Sequence, residues 1–214
     1  QTLDLRAYSY TREEMDALYD ACPGVTILFR FKLLGVETDG GATTLSVSRR
    51  RVSDLDDFRH MLRFLPKLQT LDMCYCGLKD DAMVSLREEF PSIKFIWMIY
   101  MGQYRLRTDT KAFSTLVGFD DYTHLYSSSI QVLQYCTDLE ALDLGHHNIR
   151  DLSVLYSLPD LRVLILADNK LNDITPVGSL KELRYLELFV NYGIVDISPL
   201  AELTNLVDLN LSYC

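Results

Sequence analysis

The chain has no apolar stretch long enough to cross a membrane; its longest, Phe95–Met101, is the size of a strand. Recognisable catalytic apparatus is absent too. No serine or cysteine sits in a nucleophile motif, no glycine-rich loop is arranged to cradle phosphate, and no paired carboxylates stand in a catalytic context. An enzyme is therefore not expected, and no cofactor is implied. The five cysteines, Cys22, Cys74, Cys76, Cys136 and Cys214, are odd in number and lack the paired spacing of a disulfide framework. Basic residues are scarce: 21 Lys and Arg against 30 Asp and Glu, for a net charge of −9. Residues 137–214 hold 12 acids against only 5 bases. A field of that sign argues against nucleic acid as a ligand, and at its plainest it keeps the chain soluble. The chain opens on Gln1 rather than Met, so its natural start is expected upstream. The lack of a signal peptide then says nothing about secretion.

What the chain does have is one sentence written repeatedly. Thr137–Leu158 and Pro159–Leu180 are 22 residues each, and Lys181–Leu203 is 23, with Gly193 as the extra residue. Thr204–Cys214 repeats the first half once more and then stops, which leads us to expect either further chain or a covered edge beyond it. The shared frame is L-x-x-L-x-L-x-x-N-x-I/L. Such a unit cannot bury its own leucines and must stack on neighbours. The expected fold is α/β: a right-handed β/α superhelix with a parallel concave sheet and short helices or 3-10 turns on the convex side.

Within that frame Leu142/Leu144, Leu164/Leu166, Leu186/Leu188 and Leu209/Leu211 point inward along short strands. The next slot turns a polar side chain into the core, where it must satisfy backbone groups: Cys76, His147, Asn169, Asn191 and Cys214 form this structural ladder. The segments Asp151-Leu-Ser, Asp173-Ile-Thr-Pro and Asp196-Ile-Ser-Pro suit capped 3-10 turns.

Residues 1–136 are less regular, but they match themselves at an offset of 68, so that residues 3–31 and 71–99 each read as strand, helix, proline stop and strand. Thr11-Arg-Glu-Glu14 is a capping box. Pro23 and Pro91 end the two helices. A third helix is expected over about 54–64 with Ser53 as its cap. Thr43–Ser48 and Tyr104–Asp109 are further strands, either hairpin arms or solenoid rungs, with the frame favouring a rung for the first. Tyr122–Leu125 reads as a degenerate strand and Ser127–Cys136 as a short helix. Residues 1–136 and 137–214 are expected to form one continuous solenoid.

The 22-residue period with its Asp-Ile-Ser-Pro-Leu segment resembles leucine-rich repeats of the internalin and phosphatase-1-regulator class. The fuller pattern is similar to exported leucine-rich-repeat proteins of Gram-positive gut bacteria. The resemblance implies a protein- or peptide-binding module at a bacterial cell surface. An intracellular adaptor is the alternative reading, and a metal-dependent enzyme a distant third.

The frame also says which side chains face outward on the sheet. One column runs through Val163, Tyr185 and Asp208, the next through Asp143, Ile165, Glu187 and Asn210. Two more carry Phe189, and then His146, Asp168, Val190 and Tyr213. Apolar and aromatic residues cluster there inside an acidic rim, the composition of a protein interface, so these twelve are the expected partner-binding residues. Asp143, His146 and His147 suggest a metal site only at first sight. His147 belongs to the core slot and no third ligand is fixed, so no metal is expected. Arg49-Arg50-Arg51 reads as a solvated rim.

Overall fold

A computed structural model describes residues 1–116 and 123–214, in two compact units, 1–97 and 98–214. The first unit holds β1 (Thr2–Ser9), α1 (Arg12–Ala21), β2 (Thr26–Leu33), β3 (Val36–Asp39) and β4 (Thr44–Ser46). It continues with α2 (Leu55–Leu62), β5 (Thr70–Asp72), α3 (Asp80–Glu89) and β6 (Lys94–Ile96). Helix α1 starts where its capping box requires: the Glu14 amide donates to Thr11 Oγ1 at 3.2 Å and the Thr11 amide to Glu14 Oε2 at 2.8 Å. Its buried Met15 packs with Ile27, Phe29 and Phe64. Phe64 meets Phe29, Phe31 and Tyr19 edge-to-face at 5.7–6.1 Å. Helix α2 begins one residue later than expected. Asp54, not Ser53, is its cap, accepting from the Asp57 amide at 2.9 Å, because a carboxylate there also complements the helix N-terminus.

The second unit opens with β7 (Met98–Met101), β8 (Tyr104–Arg107) and β9 (Ala112–Ser114). After α4 (Ser127–Ile130), β10 (Ala141–Asp143), β11 (Val163–Ile165), β12 (Tyr185–Glu187) and β13 (Asp208–Asn210) alternate with 3-10 turns at 153–157, 175–179 and 198–202. Strands β9 to β13 form one parallel sheet in sequence order, with Leu142, Leu164, Leu186 and Leu209 in register. Each 3-10 turn is introduced by an aspartate: Asp151, Asp173 and Asp196 accept the amide two residues on at 2.8 Å. The Thr175 hydroxyl and amide hold the Asp173 carboxyl below its usual range, and the Ser198 amide and hydroxyl do the same for Asp196. Residues 117–122 lie outside the described residues, and with them the start of the strand expected at Tyr122–Leu125. Ile130 and Leu133 are fully buried on α4 and the 3-10 turn that continues it.

The pairing at the two ends of the 68-residue offset keeps the same register, apart from an added Ser9–Arg30 pair in the first copy. Leu3 lies opposite Ile27 and Leu71 opposite Phe95, both parallel. Phe31 lies opposite Thr38 and Ile99 opposite Leu106, both antiparallel. Thus β3 and β8 are hairpin arms, turned through Leu34-Gly35 and Gly102 with positive φ as tight hairpins require. Strand β4 is a rung, parallel to β5 with Leu45 opposite Leu71.

Candidate functional site

The ladder slot shows how the rungs are tied. Asn169 Nδ2 donates to Leu144 O of the preceding repeat at 2.8 Å, and its Oδ1 accepts the Ile149 amide at 3.0 Å. Asn191 does the same to Leu166 O at 2.9 Å and from the Leu171 amide at 3.2 Å. Cys76 Sγ and Cys214 Sγ reproduce only the donating half, to Val47 O at 3.1 Å and Leu188 O at 3.2 Å. Burial pushes the Cys76 thiol up, which keeps it protonated for that role. His147 makes the accepting half, taking the Leu125 amide on Nδ1 at 3.3 Å. All but Cys214 are buried; Cys214 is exposed as a residue although its sulfur reaches the rung behind.

One residue ahead of each slot, the chain adopts the left-handed conformation without glycine. His146, Asp168, Val190 and Tyr213 have φ between 49° and 63°, as do Arg49 and Tyr75 in the first unit. This turn aims each of them out at the end of the sheet. His146 Nδ1 lies 3.1 Å from Asp168 Oδ2, both about half exposed.

The column through Asp143 is put to a use that the alternation of the strand did not reveal. Asp143 is buried, its Oδ1 accepting the Gly145 amide at 3.0 Å and its Oδ2 the Ser114 hydroxyl at 2.7 Å. Asn210 likewise accepts the Ser212 amide at 3.0 Å. Asp4, Asp72 and Ser114 do the same for the amide two residues on at 2.9–3.2 Å. These are Asx-type turns, at the strand end for Asp72, Ser114, Asp143 and Asn210 and within β1 for Asp4, and they correct the reading of Asp143 as an outward contact: its carboxylate is spent on its own turn. The signal was in the sequence as a small polar residue recurring at one frame position. In the first unit Ile96 opposite Asp72 breaks it, and within the sheet β9–β13 two rungs do so, with Ile165 and Glu187.

Those two rungs are where the outward residues gather. Val163, Ile165, Tyr185, Glu187, Phe189 and Val190 are partly exposed on β11, β12 and the turns that follow, with Ala141, Val163, Tyr185 and Asp208 aligned across four strands. The Tyr185 hydroxyl donates to Glu187 Oε2 at 3.0 Å, which pushes the phenol up. Phe189 and Tyr213 meet edge-to-face at 5.6 Å. Asp208 and Tyr213 are exposed and Asn210 partly so. Among the described residues no three His, Cys, Asp or Glu side chains are grouped to hold a metal, and no helix is long and apolar enough to cross a membrane.

Parallel rungs at a 22-residue spacing, inward leucines and an amide ladder define a leucine-rich-repeat solenoid. The Leucine Rich repeat family model matches residues 135–155. No curated protein sequence matches the chain. Among solved structures, internalin F of Listeria monocytogenes strain 4b F2365 is similar at 20% identity and a TM-score of 0.37, over 81% of this chain. The chain spans only 36% of that protein's length. Internalin C2 of the same strain is similar at 22% identity and a TM-score of 0.39, over 79% of this chain and 76% of its own.

Proposed function

We propose that the chain is a non-enzymatic leucine-rich-repeat module that binds a protein or peptide on the outward face of β11 and β12, at a bacterial cell surface. The observation that carries this is the broken column. In the same sheet β9, β10 and β13 place a turn-forming Ser, Asp or Asn at that position, whereas β11 places Ile165 there, giving up a local hydrogen bond to expose an apolar side chain. Val163, Tyr185, Phe189, Val190 and Tyr213 extend it into an apolar and aromatic patch, edged by Asp168, Glu187, Asp208 and the exposed His146. Rigid aromatic anchors inside a polar rim give most of their binding energy from few residues.

The test uses peptides selected from a random library on the whole chain. Ile165→Asn should keep the fold, because Asn210 already serves that position, and Phe189→Ala removes an anchor from the same patch. Each should weaken the selected peptides by about 2 kcal/mol, roughly thirtyfold, with the thermal melt retained. Leu164→Glu, at a fully buried position, should instead unfold the sheet. Undiminished binding by both face variants would show that the wrong face has been chosen. Protease shaving of intact source cells tests the surface setting, since release of peptides from this chain requires it to be outside.

A further inference from the structure

We propose that residues 123–194 carry a second binding site, for a short acidic saccharide, in a groove along the turns that leave the strands. Two adjoining hollows of about 420 and 310 Å³ share Arg150 and Lys170. Tyr126 and Ser128 bound the first, and Tyr192 and Asn172 the second. The turns lie side by side: Tyr126 bridges to Asn148, and the Lys170 amide donates to Ile149 O at 2.9 Å. Three rung spacings of about 4.8 Å put the tyrosine turns about 14 Å apart. Gly193, the residue that lengthens the third repeat, lets the Tyr192 turn close on its neighbour, since a Cβ there would stand 2.6 Å from Leu171 O.

Residues 137–214 own five basic side chains, and two of them meet here. Arg162 is paired with Glu140 and Lys181 with Glu202, whereas Arg150, Lys170 and Arg184 are exposed and have no ion-pair partner among the described residues; of these three, Arg150 and Lys170 line both hollows. A planar arginine fork with a lysine beside it suits one carboxylate, and the net charge of −9 repels anything more heavily charged. Tyr126 and Tyr192 are 57% and 74% exposed, which leaves ring surface free for the apolar face of a sugar, with hydroxyl partners at Ser128, Asn148 and Asn172. A protein partner would want a contiguous apolar centre, whereas here the two tyrosines stand at opposite ends with Arg150 and Lys170 between them. The site is built on residues past the ladder and does not depend on the sheet face.

Calorimetric titration of the full chain with sialyllactose, a glucuronate-terminated disaccharide, neutral lactose, inorganic phosphate and an acidic peptide tests the assignment. The expected result is binding of both acidic sugars, with lactose at least about tenfold weaker and no heat from phosphate or peptide. Arg150→Gln and Lys170→Gln should each weaken the acidic sugars about tenfold or more while the melt stays unchanged, and Arg150→Lys should restore only part. Tyr192→Ala should weaken them as well, and Ile165→Asn should leave them unaffected. Failure of both acidic sugars to bind overturns the proposal. So does equal binding of lactose, phosphate or peptide, or binding that survives Arg150→Gln.

Discussion

The ladder side chains differ in what they can give and take, and only His147 can gain a proton as the pH falls below neutral. His147 is held down to about 4, first by burial and then by His124 and His146, with Asp143 opposing. Its neutral form accepts the Leu125 amide on Nδ1, and a proton there would turn acceptor into donor. A base whose folded value is depressed contributes stability that is complete above about pH 6.5 and lost as pH falls toward 4, at most about 3 kcal/mol. His147→Asn should flatten that slope, read as the urea midpoint against pH. If the variant and the parent lose stability in parallel between pH 6.5 and 4, His147 is not the sensor. Val190 makes a second case at this scale. A β-branched residue at φ 58° is strained, and Val190→Asn should raise stability by about 1 kcal/mol, seen as a higher denaturant midpoint with unchanged slope.

At the scale of elements, the close approach of successive 3-10 turns sets what each can hold. A Cβ on Gly178 would sit 2.7 Å from Pro199 O, a backbone atom with nowhere to go. Gly178→Ala should therefore cost about 1–3 kcal/mol by differential scanning calorimetry, although alanine is elsewhere the easier residue to order. The rungs of 137–214 were legible because one frame repeats at a fixed period and the same leucines fill it. Helix α1 was legible because a capping box is a local signal. The hairpin at β7–β8 was not separable from a rung, since both are alternating strands and the difference lies in a two-residue turn, and β3 was not anticipated because four residues between glycines carry no frame. The Asx turns of Asp143 and Asn210 were missed because period-2 alternation says which way a side chain leaves the strand, not whether it bends back to an amide two residues on. The sharing of Arg150 and Lys170 by two hollows follows from the stacking of repeats, which no single repeat displays.

At the scale of the whole molecule, a repeat array is stable in proportion to the neighbours each rung has. Leu142, Leu164 and Leu186 are at most 1% exposed, whereas Leu209 on β13 is 45% exposed and Val207 beside it 77%. In a chain that ends at Cys214, opening should therefore run inward from β13. Amides of β13 should exchange with deuterium at least about tenfold faster than those of β10 and β11, in a graded order rather than in a single step. A uniform rate across the sheet would mean that residues 98–214 open as one body. The acidic surplus of residues 137–214 adds a salt term, so that modest ionic strength should slow exchange at the exposed end most.

The left-handed position ahead of the ladder already holds arginine, tyrosine, histidine, aspartate and valine at nearly one value of φ. Its backbone is imposed by the stack and not by the residue it carries. A designer could therefore treat that row as a set of interchangeable sockets, rewriting the chemistry presented at the end of the sheet one rung at a time while the scaffold beneath stays as it is.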